Sequence, residues 1–237
     1  MTTAVFVKRY RDPDRAAAAR VHLEWLAKLG CGVRLPALRS AGSHHLVFEH
    51  LGDSRPGPDD LGALAEALGR LHAAAWTRHL RSARLDEPFP APGGLVISDF
   101  VTARRKALHR MPMPAAGLPV AIYKDANIRN FLLTDTCVAL VDFDDLTLAP
   151  FGYDLAKLVV TTAMTHGPLD PRRVEAALEV YNTHTAQAGG DATTCSPQRL
   201  RVYAEFHHLL TARYLHHNGY THPWPEVRPW PEPKAPR

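Results

Sequence analysis

The sequence predicts an α+β protein of two lobes: a reduced N-terminal β lobe over residues 1–52, a mainly helical C-terminal lobe over 53–222, and a Pro-rich tail over 223–237. Three observations lead there. At 237 residues the chain exceeds the roughly 100–200 of one ordinary domain, which leaves room for two lobes around a cleft. Short β-branched and aromatic runs, broken by one helical pattern, fill the first fifty residues. Long stretches with helical apolar spacing follow, interrupted by three short apolar runs between 120 and 143.

In chain order, residues 4–7 read as a strand ending at Lys8, followed by the turn Arg11-Asp12-Pro13-Asp14. From Arg15 good helix formers run to a stop at Gly30. A second strand pair is expected over 32–38 and 45–48, leading into Glu49-His50-Leu51-Gly52 as a hinge. Asp59 or Asp60 can cap the next helix, whose residues 61, 64, 65, 68, 71 and 75 share an apolar face. His72 falls on that face and reads as a core residue.

Residues 86–94, rich in Pro and Gly, read as a loop. Residues 98–110 read as a basic helix with Arg104, Arg105 and Lys106 on a solvated face. The apolar runs 120–123, 131–133 and 139–143 suggest a small β-element inside the helical lobe. Helices are then expected over 153–164, 171–187 and 197–217, the last with Ser196 as cap, Pro197 at its first position and Gly219 as stop. The tail from 223 carries too many prolines for regular structure, and packing is the expected use of Trp224 and Trp230.

Hydrophobic and charged contents of 46% and 22% are those of a globular protein and exclude a disordered or fibrous one. The formal charge of +4, from 28 Lys and Arg against 24 Asp and Glu, is too small to imply nucleic acid. Cys31, Cys137 and Cys195 are scattered without CxxC spacing, which suggests neither disulfides nor a cysteine zinc site. No apolar run approaches the ~18 residues of a membrane span. The start lacks the pattern of a secretory leader. The expectation is a cytoplasmic protein without nucleic-acid or membrane partners.

The chemical signal is Asp125-Ala-Asn-Ile-Arg-Asn130, followed twelve residues after Asn130 by Asp142-Phe143-Asp144. Each acid sits at the edge of an apolar strand. Phosphoryl transfer asks little covalent chemistry of a protein; it needs a carboxylate beside the acceptor hydroxyl and oxygen ligands for Mg²⁺ on the phosphates. Magnesium accepts one or two carboxylates plus phosphates and water, so one amide and one carboxylate, Asn130 and Asp142, are a sensible protein share.

These residues carry a family resemblance. D-x-x-x-x-N followed by a hydrophobic-Asp strand resembles the catalytic and metal loops of protein-kinase-like folds. Leu140-Val-Asp-Phe-Asp144 and Pro150-Phe-Gly-Tyr-Asp-Leu-Ala156 are similar to the corresponding segments of the aminoglycoside phosphotransferase and choline kinase-like family. The resemblance spans about residues 4–165 and implies a two-lobe kinase-like fold acting on ATP and a small-molecule hydroxyl substrate with Mg²⁺. It implies Asp125 as catalytic base, Asn130 and Asp142 as metal ligands with Asp144 in support, and Lys8 steadying ATP. Glu49 and Leu51 resemble the adenine hinge. Asp154, at the start of its helix, would anchor the catalytic loop.

The pattern is also broken. No G-x-G-x-x-G phosphate loop occurs, and only seven residues precede Lys8. The family's glutamate partner for that lysine falls at Ala19, with Glu24 the nearest substitute. Tyr123-Lys124 replaces the usual His-Gly, which places a cation beside Asp125 that could reach the transferred phosphate. Two classes follow: a phosphotransferase on small metabolites or antibiotics, using ATP or GTP, or a truncated or pseudokinase-type binding protein of the same fold. From Phe151 onward nine Lys and Arg stand against eight Asp and Glu, which does not favour a polycationic aminoglycoside.

Overall fold

The computed structural model describes residues 4–113 and 117–231; the last part of the Pro-rich tail, 232–237, lies outside them. Strand β1 (Val5–Arg9) is an edge of an antiparallel three-stranded sheet of order β1-β3-β2, with β2 at Leu38–Ala41 and β3 at His45–Glu49. Val5 pairs with Glu49 and Lys8 with Leu46, so the lysine and the hinge lie on one small sheet. Residues 32–38 form no strand as expected. Arg34 makes an isolated bridge to Ala139, and regular pairing begins at Leu38.

Helix α1 (Pro13–Lys28) starts where Asp12 accepts the Asp14 N–H and stops at Leu29, before Gly30 at a positive φ of 55°. Its buried Leu23, Trp25 and Leu26 dock it on the core. Helix α2 (Leu61–Arg78) buries every residue of its expected apolar stripe. The Asp60 carboxylate accepts the Gly57 N–H of the preceding 3-10 turn and makes no cap on α2. At Gly69 a Cβ would stand 2.9 Å from the Tyr181 carbonyl, so glycine allows α2 to approach α5 (Pro171–Gly189) closely.

The expected loop at 86–94 contains half of a hairpin, β4 (Phe89–Ala91) on β5 (Leu95–Ile97). The basic helix begins as a 3-10 turn at Thr102–Arg104 and continues as α3 (Arg105–Arg110). An antiparallel pair, β6 (Val120–Tyr123) with β9 (Thr147–Pro150), and a hairpin between them in sequence, β7 (Phe131–Leu133) with β8 (Val138–Leu140), form the expected β-element. Helix α4 (Tyr153–His166) runs through the core, buried from Tyr153 to Met164. Helix α6 (Pro197–Thr211) opens on the Ser196 cap, which accepts the Arg199 N–H, and ends before the predicted 217 in a 3-10 turn, Ala212–Tyr214. The tail is not wholly irregular: Trp224–Val227 makes a short helix, α7, with Trp224 and Trp230 buried against each other.

Candidate active site

Asp125 follows β6 in the left-handed region, φ 63°, where a carboxylate residue is uncommon and strain has to be held by its surroundings. Asp154 holds it. Fully buried at the start of α4, its carboxylate accepts the backbone N–H of Lys124 at 3.0 Å and of Ala126 at 2.7 Å. Asn130 Nδ2 donates to the Asp125 carbonyl at 2.9 Å, which leaves the Asn130 side-chain oxygen available to a metal. The Asp125 carboxylate receives the Tyr123 hydroxyl at 2.8 Å and lies 3.4 Å from the Lys157 ammonium.

Asp142, after β8, also takes a positive φ of 67°. Its carboxylate is 2.8 Å from the Lys8 ammonium, which reaches Asp144 as well at 2.6 Å; the Tyr10 hydroxyl donates to Asp144 at 3.0 Å. Burial alone would raise the Asp142 pKa, but the Lys8 hydrogen bond and the charges of Lys8 and Lys124 outweigh it and hold the carboxyl below its usual range. Glu24 pairs with Arg20 at 3.5 Å, so Asp142 and Asp144, and not α1, partner the strand lysine.

Lys8 and Asp142 line one cleft with Phe48, Glu49, Leu51 and Val141. The Glu49 carboxylate is engaged by Arg34 at 2.6 Å and by the Ala37 N–H at 2.7 Å, so it is a strut of the hinge while Leu51 lies in the cleft wall. Lys124 sits behind that wall: it is buried, donates to the Val141 carbonyl at 2.6 Å, and packs its ammonium over the Phe143 ring. Burial pushes its pKa down to about 8 against the opposing pull of Asp142, Asp154 and Asp125.

The donor set fits magnesium. Asn130, Asp142 and Asp144 offer hard oxygens, and Lys8 now supplies the positive charge that a cation would bring. Among the described residues no group of three or more His, Cys, Asp and Glu could hold a metal.

Asp125 faces a second, larger cleft of about 1320 Å³, bounded by α3, α6 and the turns after it. Arg104 lies in its wall and is not the solvated residue expected. It is buried, donating to Tyr153, the Phe100 carbonyl and Thr147, and its guanidinium covers the Tyr123 ring. His207 stacks on Tyr123 and bonds the Tyr153 carbonyl through Nε2 at 2.9 Å; burial and the Lys157 charge keep it neutral. Sequence reasoning passed over Lys157 and Tyr10. Lys157 carried one available signal, its place three residues after Asp154 on the same helix.

The structure of choline kinase LicA from Streptococcus pneumoniae is similar to this one, with a TM-score of 0.57 and 16% identity over 88% of this chain and 75% of that one. Macrolide 2'-phosphotransferase MphH from Brachybacterium faecium gives 0.57 and 19% over 90% and 78%. Aminoglycoside phosphotransferase APH(3'')-Id from Streptomyces rimosus, in complex with ADP and streptomycin, gives 0.52 and 16% over 86% of each chain. At these identities the likeness establishes the kinase-like fold. A comparison with curated proteins gives no significant match. The model of the phosphotransferase enzyme family matches residues 2–190, four-fifths of the chain, including Lys8, Asp125, Asn130, Asp142 and Asp154, and the protein belongs to that family.

Proposed function

We propose that the protein is an ATP-dependent small-molecule kinase, with Asp125 as the base and the Lys8–Leu51 cleft as the nucleotide site. One observation carries the reading. Asp125 and Asp142, held in strained left-handed conformations on neighbouring turns, line two different clefts. Such an arrangement lets a phosphoryl group pass from a donor in one to an acceptor in the other.

In this mechanism the acceptor hydroxyl oxygen attacks the γ-phosphorus of ATP. Its proton passes to Asp125, the bond to the β,γ-bridging oxygen breaks, and ADP departs with that oxygen. Bound Mg²⁺ supplies charge neutralisation on the phosphates, with Asn130, Asp142 and Asp144 as its protein ligands. Lys8 exchanges its carboxylate partners for phosphate oxygens. Tyr123 orients the Asp125 carboxylate, and Asp154 keeps the loop in the reactive conformation. Two structural neighbours are nucleotide complexes, APH(3'')-Id with ADP and an amicoumacin kinase with AMP-PNP and Ca²⁺, which supports a nucleotide donor.

Calorimetric titration of MgATP into the wild type and Asp142→Ala tests it. Metal-dependent binding that is lost in the variant supports the kinase reading. A folded wild type that binds no MgATP or MgGTP defeats it and leaves the binding-protein alternative.

A further inference from the structure

The cleft on the Asp125 side is unusual in charge. Among its described lining residues the carboxylates are Asp125 and Asp145. Against them stand Arg105, Lys106 and Arg110 on α3, Arg129 beside the catalytic loop, Lys157 on α4 and Arg213 after α6, in addition to the committed Arg104. Lys157 is paired with Asp125, and Arg129 donates to Asn127 while covering the Tyr220 ring. Arg213 donates only to the neighbouring Tyr214 hydroxyl. Arg105, Lys106 and Arg110 are exposed and have no hydrogen bond or ion pair to any described residue. A concave surface of one sign focuses its field into the cleft and raises the local concentration of ligands of opposite sign.

Resting on the kinase reading of Asp125, we propose that the acceptor is a hydroxylated anion, carrying a carboxylate or a phosphate monoester that this cluster binds while the hydroxyl lies at Asp125. Lys157 is the pivot. With 8% of its surface exposed and its ammonium 3.4 Å from the base, it can hold the anion and the reacting carboxylate together. Guanidinium groups on α3 suit the planar, bidentate recognition of either oxyanion. His207, buried in the same wall with Nε2 turned to the Tyr153 carbonyl, backs the cleft without adding charge on the acceptor side. A polycationic acceptor would meet like charge on three sides.

The test compares matched ligands by calorimetry on the full chain: D-gluconate against sorbitol, D-ribose 5-phosphate against ribose, and streptomycin as the cation. The acid of at least one pair is expected to bind at least about tenfold more tightly than its neutral partner, one charge-assisted contact being worth roughly that factor. Which pair responds separates carboxylate from phosphate recognition. Combined Arg105→Gln, Lys106→Gln and Arg110→Gln, all on the surface, should abolish that preference and leave MgATP binding intact. Neutral or cationic ligands binding as well as the acids, or an anion preference that survives the triple change, would overturn the proposal. Anion binding by a wild type that binds no MgATP would keep the cationic, anion-binding cleft and defeat the kinase reading instead.

Discussion

Asp154 brackets Asp125 without touching its side chain: one carboxylate oxygen takes the N–H before the base and the other takes the N–H after it. Both donors are buried, so Asp154→Ala would strand them at a cost of about 2–4 kcal/mol. Urea unfolding should show that loss, and turnover should fall with it because Asp125 is released from its left-handed conformation. Asp154→Asn, which keeps one acceptor, should lie between.

Asp125→Asn removes the proton acceptor but keeps the shape of the loop. Turnover should fall by about 10²–10⁴, the usual weight of a general base, with MgATP affinity unchanged because Asp125 lines the other cleft. A comparable loss of nucleotide affinity would reassign Asp125 to the metal.

Lys8→Met should weaken MgATP binding and change its dependence on pH. The lysine holds the Asp142 carboxyl below its ordinary pKa of 3.8, so without it the carboxyl protonates at higher pH. The acid limb of nucleotide binding should therefore move upward. An unmoved limb would show that Lys124 alone sustains the Asp142 charge.

Lys124 gives a stability signature. Its folded pKa of about 8 lies below the unfolded 10.5, so between these values the unfolded chain binds more protons and stability rises with pH. Below pH 8 the ammonium is charged in both states and the burial cost is complete. Wild type compared with Lys124→Met by denaturation at pH 7, 9 and 10 should show the gap shifting in favour of the wild type as pH rises.

Gly152 starts α4 at φ 87°, and a Cβ there would stand 2.2 Å from the Cys195 sulfur. Gly152→Ala combines backbone strain with overpacking and should cost about 2–4 kcal/mol in thermal or urea unfolding. Adding Cys195→Gly, which removes both the Sγ and the Cβ that would stand 2.5 Å away, should recover the steric part only.

The elements and the Asp125–Asn130 and Asp142–Asp144 motifs were legible because their information is local. Asp125, Asn130 and Asp142 are recognised by short spacings, and the stripe of α2 by its period. The hairpin of β4 and β5 was missed because Pro90 and the Gly93-Gly94 turn mask three-residue strands that only pairing reveals. Arg104 was misplaced for a similar reason: nothing near it in sequence indicates that Tyr153 and Thr147 will bury its guanidinium.

By itself, then, the sequence determined the α+β class, most of the helices, the phosphotransferase motifs and their acidic residues. Tertiary structure alone decided that Lys8 closes on acids 134 and 136 residues away, that Lys124 lies behind the wall of the Lys8–Leu51 cleft, and that Lys157 stands beside Asp125. It also gathered Arg105, Lys106, Arg110, Arg129, Lys157 and Arg213, from four separate segments, into one cationic cleft. Charge counts sum over a whole segment, whereas a ligand meets only the side chains that packing turns toward it.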